Sequence, residues 1–123
     1  MKALKIKQLD EKDEEIADIL ISLGMSRNVA MSLTYLQNMN SATSVDLERV
    51  ARLPQPEVSI AMRQLKEREW IDEREEKALR KGRPTKVYSL KVGFKDIVSQ
   101  LEKQQKKVVD EAKANVERLK ERI

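Results

Sequence analysis

The sequence has 123 residues, 37% of them charged and 3% aromatic, and carries a formal net charge of +4. A chain of this length can form one domain plus an extra helix, so we expect no separate ligand-sensing domain. Cysteine and histidine are both absent, which excludes disulfides, zinc fingers, thiolate nucleophiles and imidazole base chemistry. We therefore expect no metal and no other cofactor.

The composition also predicts the fold class. Glycine and proline occur only three times each, and with few aromatic residues the core must be built from Leu, Ile, Val, Met and Ala on helices. We predict a mainly α protein with a small β-hairpin. No Gly-rich phosphate loop occurs and no nucleophile lies beside a base, so we expect no enzyme. No stretch is apolar enough to cross a bilayer or act as a signal sequence, which predicts a soluble, cytoplasmic protein without a membrane partner.

The pattern of residues 10–23 predicts an amphipathic helix. Its apolar side chains recur at helical spacing and are Ile16, Ile19, Leu20 and Leu23. Gly24 is expected to end the helix, because glycine readily adopts the left-handed conformation of a helix terminus. Six acidic residues between positions 10 and 18 are interpreted as a solvated face.

A second helix is predicted from Ser26, which can cap it, to Asn40, which can end it. Its apolar positions are Val29, Leu33, Leu36 and Met39. The polar residues 40–44 are interpreted as a connection to the next helix.

Two short helices with a tight turn between them follow. Thr43 or Ser44 can accept hydrogen bonds from the free N–H groups of the first one. Its predicted buried side chains are Val45, Leu47, Val50 and Ala51. Pro54 breaks this helix, and the next one, over residues 55–68, has Pro56 in its first turn, where proline loses no hydrogen bond. Its apolar stripe consists of Val58, Ala61, Met62 and Leu65.

A two-stranded hairpin is predicted after this helix. The first strand begins at Trp70, the charged residues 72–77 lead into a basic turn over residues 80–86, and residues 87–92 return with period-two alternation. From position 80 to position 91 there are five basic side chains and no acid. Such a segment suits contact with phosphates; the alternative is a solvated loop.

The chain from residue 94 to residue 123 predicts one long helix with an apolar stripe. Gln104 and Gln105 stand where a strict heptad would place an apolar residue. We expect a second copy of the chain to cover the stripe, so that a homodimer forms through residues 93–123; the alternative is that the helix folds back on its own domain. The predicted dimerisation residues are Ile97, Leu101, Val108, Ala112, Val116 and Leu119.

Residues 53–65, LPQPEVSIAMRQL, are similar to the recognition helices of ArsR-type regulators, and residues 65–71 look like their exit into the wing. The segment from Gly82 to Tyr88, GRPTKVY, resembles the wing of many archaeal members. The order of elements over residues 10–92 resembles the winged helix-turn-helix regulators of prokaryotes, particularly the ArsR, MarR and TrmB groups. Glu69 stands where many relatives carry glycine, and the Cys/His metal sites of some ArsR members have no counterpart.

This resemblance implies a winged helix-turn-helix domain, residues 10–92, that binds double-stranded DNA, with residues 55–68 in the major groove. Side chains near the N-terminus of such a helix read the bases. Gln55, Ser59 and Arg63 are the candidates: Gln55 can pair with adenine, and Arg63 with guanine or a phosphate. Glu57 can accept from cytosine N4 or favour the positive end of the helix dipole, the role that we prefer. Ile60 can touch a thymine methyl group or pack against a neighbouring helix, and both readings stay open.

Other predicted contacts lie on the phosphate backbone and in the minor groove. Thr43 and Ser44 can touch phosphate as well as cap their helix. In the predicted wing, residues 78–86, Arg83 can enter a narrow minor groove; the alternative is an ordinary hairpin tip. The phosphate backbone on either side is expected to be held by Arg80, Lys81 and Lys86. The remaining predicted DNA-contacting residues are Pro56 and Thr85.

We therefore expect a transcriptional regulator that binds a pseudo-palindromic operator as a homodimer. Repression by blocking promoter access follows most simply, although activation is equally compatible with the sequence. The main alternative is a winged-helix protein-interaction module in a transcription or chromatin assembly. RNA binding is disfavoured because exposed aromatic platforms are lacking. The sequence identifies no small-molecule effector.

Overall fold

The computed structural model describes residues 10–77 and 84–123, and within these ranges the chain forms five helices and three strands. In chain order they are α1 (Glu11–Ser22), α2 (Arg27–Met39), β1 (Ser41–Thr43), α3 (Ser44–Ala51), α4 (Gln55–Glu67), β2 (Ile71–Glu76), β3 (Thr85–Leu90) and α5 (Phe94–Arg122). The chain divides into two compact units, of which the first ends at Val92 and the second is Gly93–Ile123.

Helix α1 is held by polar as well as apolar contacts. Asp10 caps it through a capping box with Asp13, and Asn38 of α2 donates a hydrogen bond to Asp13 Oδ1 at 2.8 Å. Asp13 is therefore buried beside Ala17 and Leu20. The apolar face predicted for α1 includes Ile19, and this assignment is wrong, since 53% of the residue is exposed. The helix turns the face that carries Asp13 inward, and Ile19 lies on its flank.

The predicted ends of α1 and α2 are confirmed. Gly24 has φ +103°, a backbone conformation that glycine adopts without strain. Ser26 caps α2 by accepting a hydrogen bond from Val29 N at 3.3 Å, and Asn40 ends it with φ +67°. Every residue of α2 from Val29 to Leu36 is buried, so this helix is the centre of the first unit.

The small sheet has three strands rather than the two of the predicted hairpin. Strand β3 lies in the middle and pairs antiparallel with both β1 and β2. The segment interpreted as a connection therefore contains β1, in which the buried Ala42 pairs with Tyr88. Three residues are too few to show strand alternation, and their partner lies more than forty residues away. The charged segment after Ile71 belongs to the edge strand β2 rather than to a loop.

Helices α3 and α4 form as expected, with one error. Thr43 caps α3, and the turn before α4 passes through Arg52 in the left-handed region, φ +57°. The prediction that Val45 is buried is wrong, because the residue is 46% exposed. The predicted apolar stripe of α4 is confirmed as fully buried: Val58, Ala61, Met62 and Leu65.

A left-handed residue links α4 to β2. Glu69 has φ +61°, and a side chain in this region costs about 1 kcal/mol. Trp70 then turns into the core, with the guanidinium of Arg68 4.7 Å from its ring centroid. The strained residue and the buried indole together fix where β2 begins.

The second unit is one uninterrupted helix of 29 residues, about 44 Å long at 1.5 Å per residue. Ile97 and Leu101 are buried. The large apolar side chains that are exposed on this helix and at its end are Val98, Val108, Val109, Val116, Leu119 and Ile123. Among the described residues, no helix is both long and apolar enough to cross a membrane.

Candidate nucleic-acid interface

The outward face of α4 is fixed by the four buried residues on its other side. Because these residues hold the rotation of the helix, Pro56, Ile60 and Arg63 face solvent. Gln55 is exposed at the first position, and its Nε2 lies 3.5 Å from Ser59 Oγ one turn later. The structure therefore brings the predicted base-reading residues of α4 onto one accessible surface.

The N-terminus of α3 carries the two hydroxyl residues predicted to touch phosphate. Thr43 Oγ1 accepts a hydrogen bond from Asp46 N at 3.0 Å, and Asp46 Oδ2 accepts one from Thr43 N at 3.1 Å. The capping role of Thr43 is confirmed by this pair of bonds. Ser44 is the first helical residue and is partly exposed.

A depression of about 270 Å³ lies between the first turn of α2 and one flank of α4. Asn28 Nδ2 donates a hydrogen bond to Glu57 Oε1 across it, at 3.3 Å. Ile60, which is 50% exposed, and Gln64 line the same depression. Asn28 and Gln64 line this depression but are not among the site residues predicted from the sequence. The spacing of Gln64, one turn after Ile60, was a usable signal, whereas no local pattern links Asn28 to α4.

The opposite flank of α4 meets the sheet through a carboxylate. Glu73 of β2 lies 3.2 Å from Lys66 Nζ of α4 and 3.8 Å from Lys86 Nζ of β3. Its cross-strand neighbour is Tyr88, a buried residue. Burial raises the pKa of Tyr88 to about 12, and the negative charge of Glu73 contributes to the increase. Lys86, predicted to hold the phosphate backbone, is thus engaged with a carboxylate in the free protein.

The strand β2 is acidic. Asp72, Glu73, Glu75 and Glu76 all lie on it, and its Arg74 pairs with Glu76 at 2.9 Å. Thr85, a predicted contact, is the partly exposed first residue of β3. The basic charge expected of this hairpin belongs to its turn, whose predicted contacts lie outside the described residues: Arg80, Lys81 and Arg83.

No protein-family model matches this chain, and no curated protein matches it by sequence. Among solved structures, it is similar to TrmBL2, an archaeal chromatin protein whose structure shows a novel mode of DNA binding, with a TM-score of 0.65 and 15% identity over 89% of this chain. The chain spans 39% of the length of TrmBL2. It is also similar to a possible transcriptional regulator from Methanosarcina mazei Go1, with a TM-score of 0.62, 15% identity and 85% of each chain covered.

This chain is mostly helical, with a small antiparallel sheet and a long C-terminal helix, and these neighbours share its fold. The chain has a winged-helix fold. In this winged helix, α3 and α4 form the helix-turn-helix, and β2 and β3 form the arms of the wing. The two neighbours are a chromatin protein and a possible regulator, and neither is described as an enzyme. In the part of the winged helix and its C-terminal helix that the structure describes, no group of three acidic residues is placed to hold a metal ion.

Proposed function

We propose that this chain is a sequence-specific DNA-binding transcriptional regulator that acts as a homodimer on a pseudo-palindromic operator. The observation that carries the proposal is the outward face of α4, where polar side chains stand on a helix whose rotation four buried residues hold. A rigid exposed helix of a helix-turn-helix is the element that enters the major groove in this class of protein. The winged-helix fold supports this assignment.

In the proposed complex, the exposed face of α4 reads base edges. Arg63 can donate two hydrogen bonds to guanine O6 and N7, and Gln55 can pair with adenine N6 and N7. Ser59 lies one turn after Gln55 and can bond to either base type. Pro56 lies on the same exposed surface and would contribute only van der Waals contact.

Residues on both sides of α4 would hold the phosphate backbone. Thr43 and Ser44 present hydroxyl groups at the N-terminus of α3, a position that favours anions. Thr85 and Lys86 begin strand β3 on the other side. A phosphate near Lys86 competes with Glu73 for the same ammonium group, and an exposed ion pair of this kind is worth only about 0–1 kcal/mol. We propose Arg83, which comes shortly before β3 in the sequence, as the minor-groove contact.

A second copy of the chain is the proposed cover for the apolar stripe of α5, residues 93–123, and residues 10–92 are the proposed DNA-binding domain. Ile97 and Leu101 are buried, so the proposed seam uses the exposed part of the stripe. From the predicted dimerisation set this leaves Val108, Ala112, Val116 and Leu119.

The spacing of this stripe suggests how two copies pair. The apolar positions 97, 98 and 101 recur eleven residues later at 108, 109 and 112, and positions 108 and 112 recur at 119 and 123. An 11-residue repeat advances 3.67 residues per turn and favours straight or right-handed pairing over the left-handed heptad coil. In this repeat Gln105 falls on the seam, between Phe94 and Val116, whereas Gln104 falls beside it. Gln105 is partly buried and Gln104 is exposed.

Blocking promoter access is the simplest action for such a dimer, so we propose repression.

The test of sequence-specific binding is to select binding sites from a pool of randomised duplexes and then measure affinity for the enriched duplex by fluorescence anisotropy. Arg63→Ala is expected to weaken binding by roughly 1–3 kcal/mol and to relax preference at one base pair of each half-site. Arg118→Ala, which removes the same charge from the exposed side of α5 away from the stripe, is the matched control and is expected to keep the preference. No enrichment of any sequence would refute the proposal and favour the protein-interaction module.

A further inference from the structure

The depression between α2 and α4 lies on the flank of α4 that faces away from the wing. Glu57 and Lys66 are nine residues apart, which is two and a half helical turns, so they stand on opposite flanks. Lys66 contacts Glu73 of the wing, and Glu57 lines the depression together with Asn28, Ile60 and Gln64. The depression therefore borders the proposed base-reading surface on the side away from the wing.

Glu57 is held in place by a residue from another helix. Asn28 Nδ2 donates its hydrogen bond to Oε1 of the carboxylate. Oε2 has no hydrogen bond to any residue in the described ranges. A carboxylate on this surface repels phosphate, so its favourable position in a complex is opposite a hydrogen-bond donor on a base edge. Cytosine presents such a donor, its N4 amino group, in the major groove.

An apolar contact lies next to this acceptor. Ile60 follows Glu57 by three residues, or about 4.5 Å along the helix axis, and half of the residue is exposed. Successive bases on one strand are separated by about 3.4 Å. Glu57 and Ile60 are thus spaced to meet neighbouring bases, and the 5-methyl group of thymine is the apolar feature of the major groove that suits isoleucine.

We propose that this depression reads a cytosine next to a thymine in each half-site, with Glu57 accepting from cytosine N4 and Ile60 contacting the thymine methyl group. The hydrogen bond from Asn28 is the reason to prefer this role of Glu57 over the helix-dipole role that the sequence alone favours. Asn28 is a positioning residue: it orients the carboxylate by its hydrogen bond to Oε1 and leaves Oε2 for the base. The proposal rests on the proposed function, because it names the bases that the same DNA-binding surface selects. It adds Asn28, which lies outside the helix-turn-helix, to the determinants of specificity.

The first experiment repeats the duplex selection with three variants. Glu57→Gln is expected to lower the cytosine preference at one position of each half-site about tenfold, since a well-placed base contact gives this order of discrimination. Asn28→Ala is expected to lower it at the same position by a smaller factor, about threefold, because the carboxylate remains but is no longer oriented. Glu121→Gln is the matched control: it removes the same charge from an exposed position of α5, outside the DNA-binding domain, and is expected to leave every base preference unchanged.

The second experiment isolates the methyl contact. Replacing the neighbouring thymine by deoxyuridine removes only the 5-methyl group and is expected to weaken binding of the wild-type chain severalfold. With Ile60→Ala the same replacement is expected to have no effect, because the contact is already lost. All four substituted side chains lie at the surface or half-buried, and circular dichroism confirms that each variant is folded before its binding is measured.

The outcomes separate this proposal from the proposed function. A selected sequence that keeps its cytosine preference with Glu57→Gln, or that prefers adenine at the Glu57-dependent position, overturns the cytosine contact and leaves the regulator intact. Equal sensitivity to deoxyuridine in the wild type and in Ile60→Ala overturns the methyl contact. If the wild-type chain selects no sequence at all, the proposed function fails and this inference fails with it.

Discussion

Leu119→Ala is expected to weaken self-association of the chain, because the proposed seam buries this side chain only in the dimer. The change removes three carbons, which corresponds to about 2.4 kcal/mol of transfer free energy. Since 66% of Leu119 is exposed in one copy, about two thirds of that value, ~1.6 kcal/mol, depends on the partner. Two copies lose it together, so the dimer is expected to weaken by ~3 kcal/mol, or roughly 200-fold in Kd.

Sedimentation equilibrium over a range of concentrations measures this Kd directly. Ile19→Ala is the matched control, because Ile19 is an apolar residue of similar size, 53% exposed, on α1 and outside the proposed seam. It is expected to leave Kd unchanged. Unfolding in urea should show little difference for Leu119→Ala at concentrations where the chain is monomeric, since the side chain has little burial to lose there. An unchanged Kd for Leu119→Ala, or a wild-type chain that is monomeric at every concentration, would refute the seam.

Further predictions concern the seam of α5, the residue that links α4 to β2, and the sheet. Gln105→Leu is expected to lower the dimer Kd in sedimentation equilibrium by about tenfold or more, because an apolar side chain replaces a polar one in the seam. Gln104→Leu is expected to leave Kd unchanged. A lower Kd for Gln104→Leu and an unchanged one for Gln105→Leu would show a heptad seam instead. Glu69→Gly is expected to stabilise the fold by about 1 kcal/mol in urea unfolding, because it relieves a side chain at φ +61°; a loss of stability would show that the Lys91 ion pair (3.5 Å) outweighs the strain. Glu73→Gln is expected to lower the pKa of Tyr88 from about 12, measured by the phenolate absorbance, and an unchanged pKa would mean that burial alone raises it.

The raised pKa of Tyr88 makes the free energy of unfolding depend on pH, in a direction that can be measured. The folded state holds the phenol proton more tightly than the unfolded state, in which the pKa of tyrosine is 10.0. The contribution to stability is therefore fully present below pH 10 and is lost as the pH rises toward 12. We expect urea unfolding to show a steeper loss of stability across this interval for the wild type than for Tyr88→Phe. Parallel curves for the two proteins would contradict the assignment.

The parts of the fold that depend on neighbouring residues could be predicted from the sequence. The stripe of α4 is a local helical period, and its four residues are all buried as expected. Gly24 and Thr43 end or cap helices through contacts within a few residues. Ile19 and Val45 were misassigned because a period alone does not fix which of two adjacent flanks turns inward. In α1 that choice is made by Asp13, whose burial depends on Asn38 in another helix.

The parts that depend on distant residues could not be predicted. Strand β1 is three residues long, and it is a strand only because β3 supplies a partner far along the chain. In the candidate site, the exposure of Ile60 and Arg63 was predictable from the stripe behind them. The hydrogen bond from Asn28 to Glu57 spans 29 positions, and the contact of Lys86 with Glu73 depends on the register of the sheet. Neither leaves a local pattern in the sequence.

Sequence-specific DNA binding is tested by fluorescence anisotropy across a salt series, which compares the affinity of the wild-type chain for its selected duplex with its affinity for a scrambled duplex of the same composition. Sequence-specific regulation predicts a preference of about a thousandfold or more at physiological salt, with both affinities falling as salt increases. Equal, strongly salt-dependent binding to both duplexes would contradict sequence-specific regulation and indicate a nonspecific DNA binder. No binding to either duplex at low salt would contradict DNA binding itself.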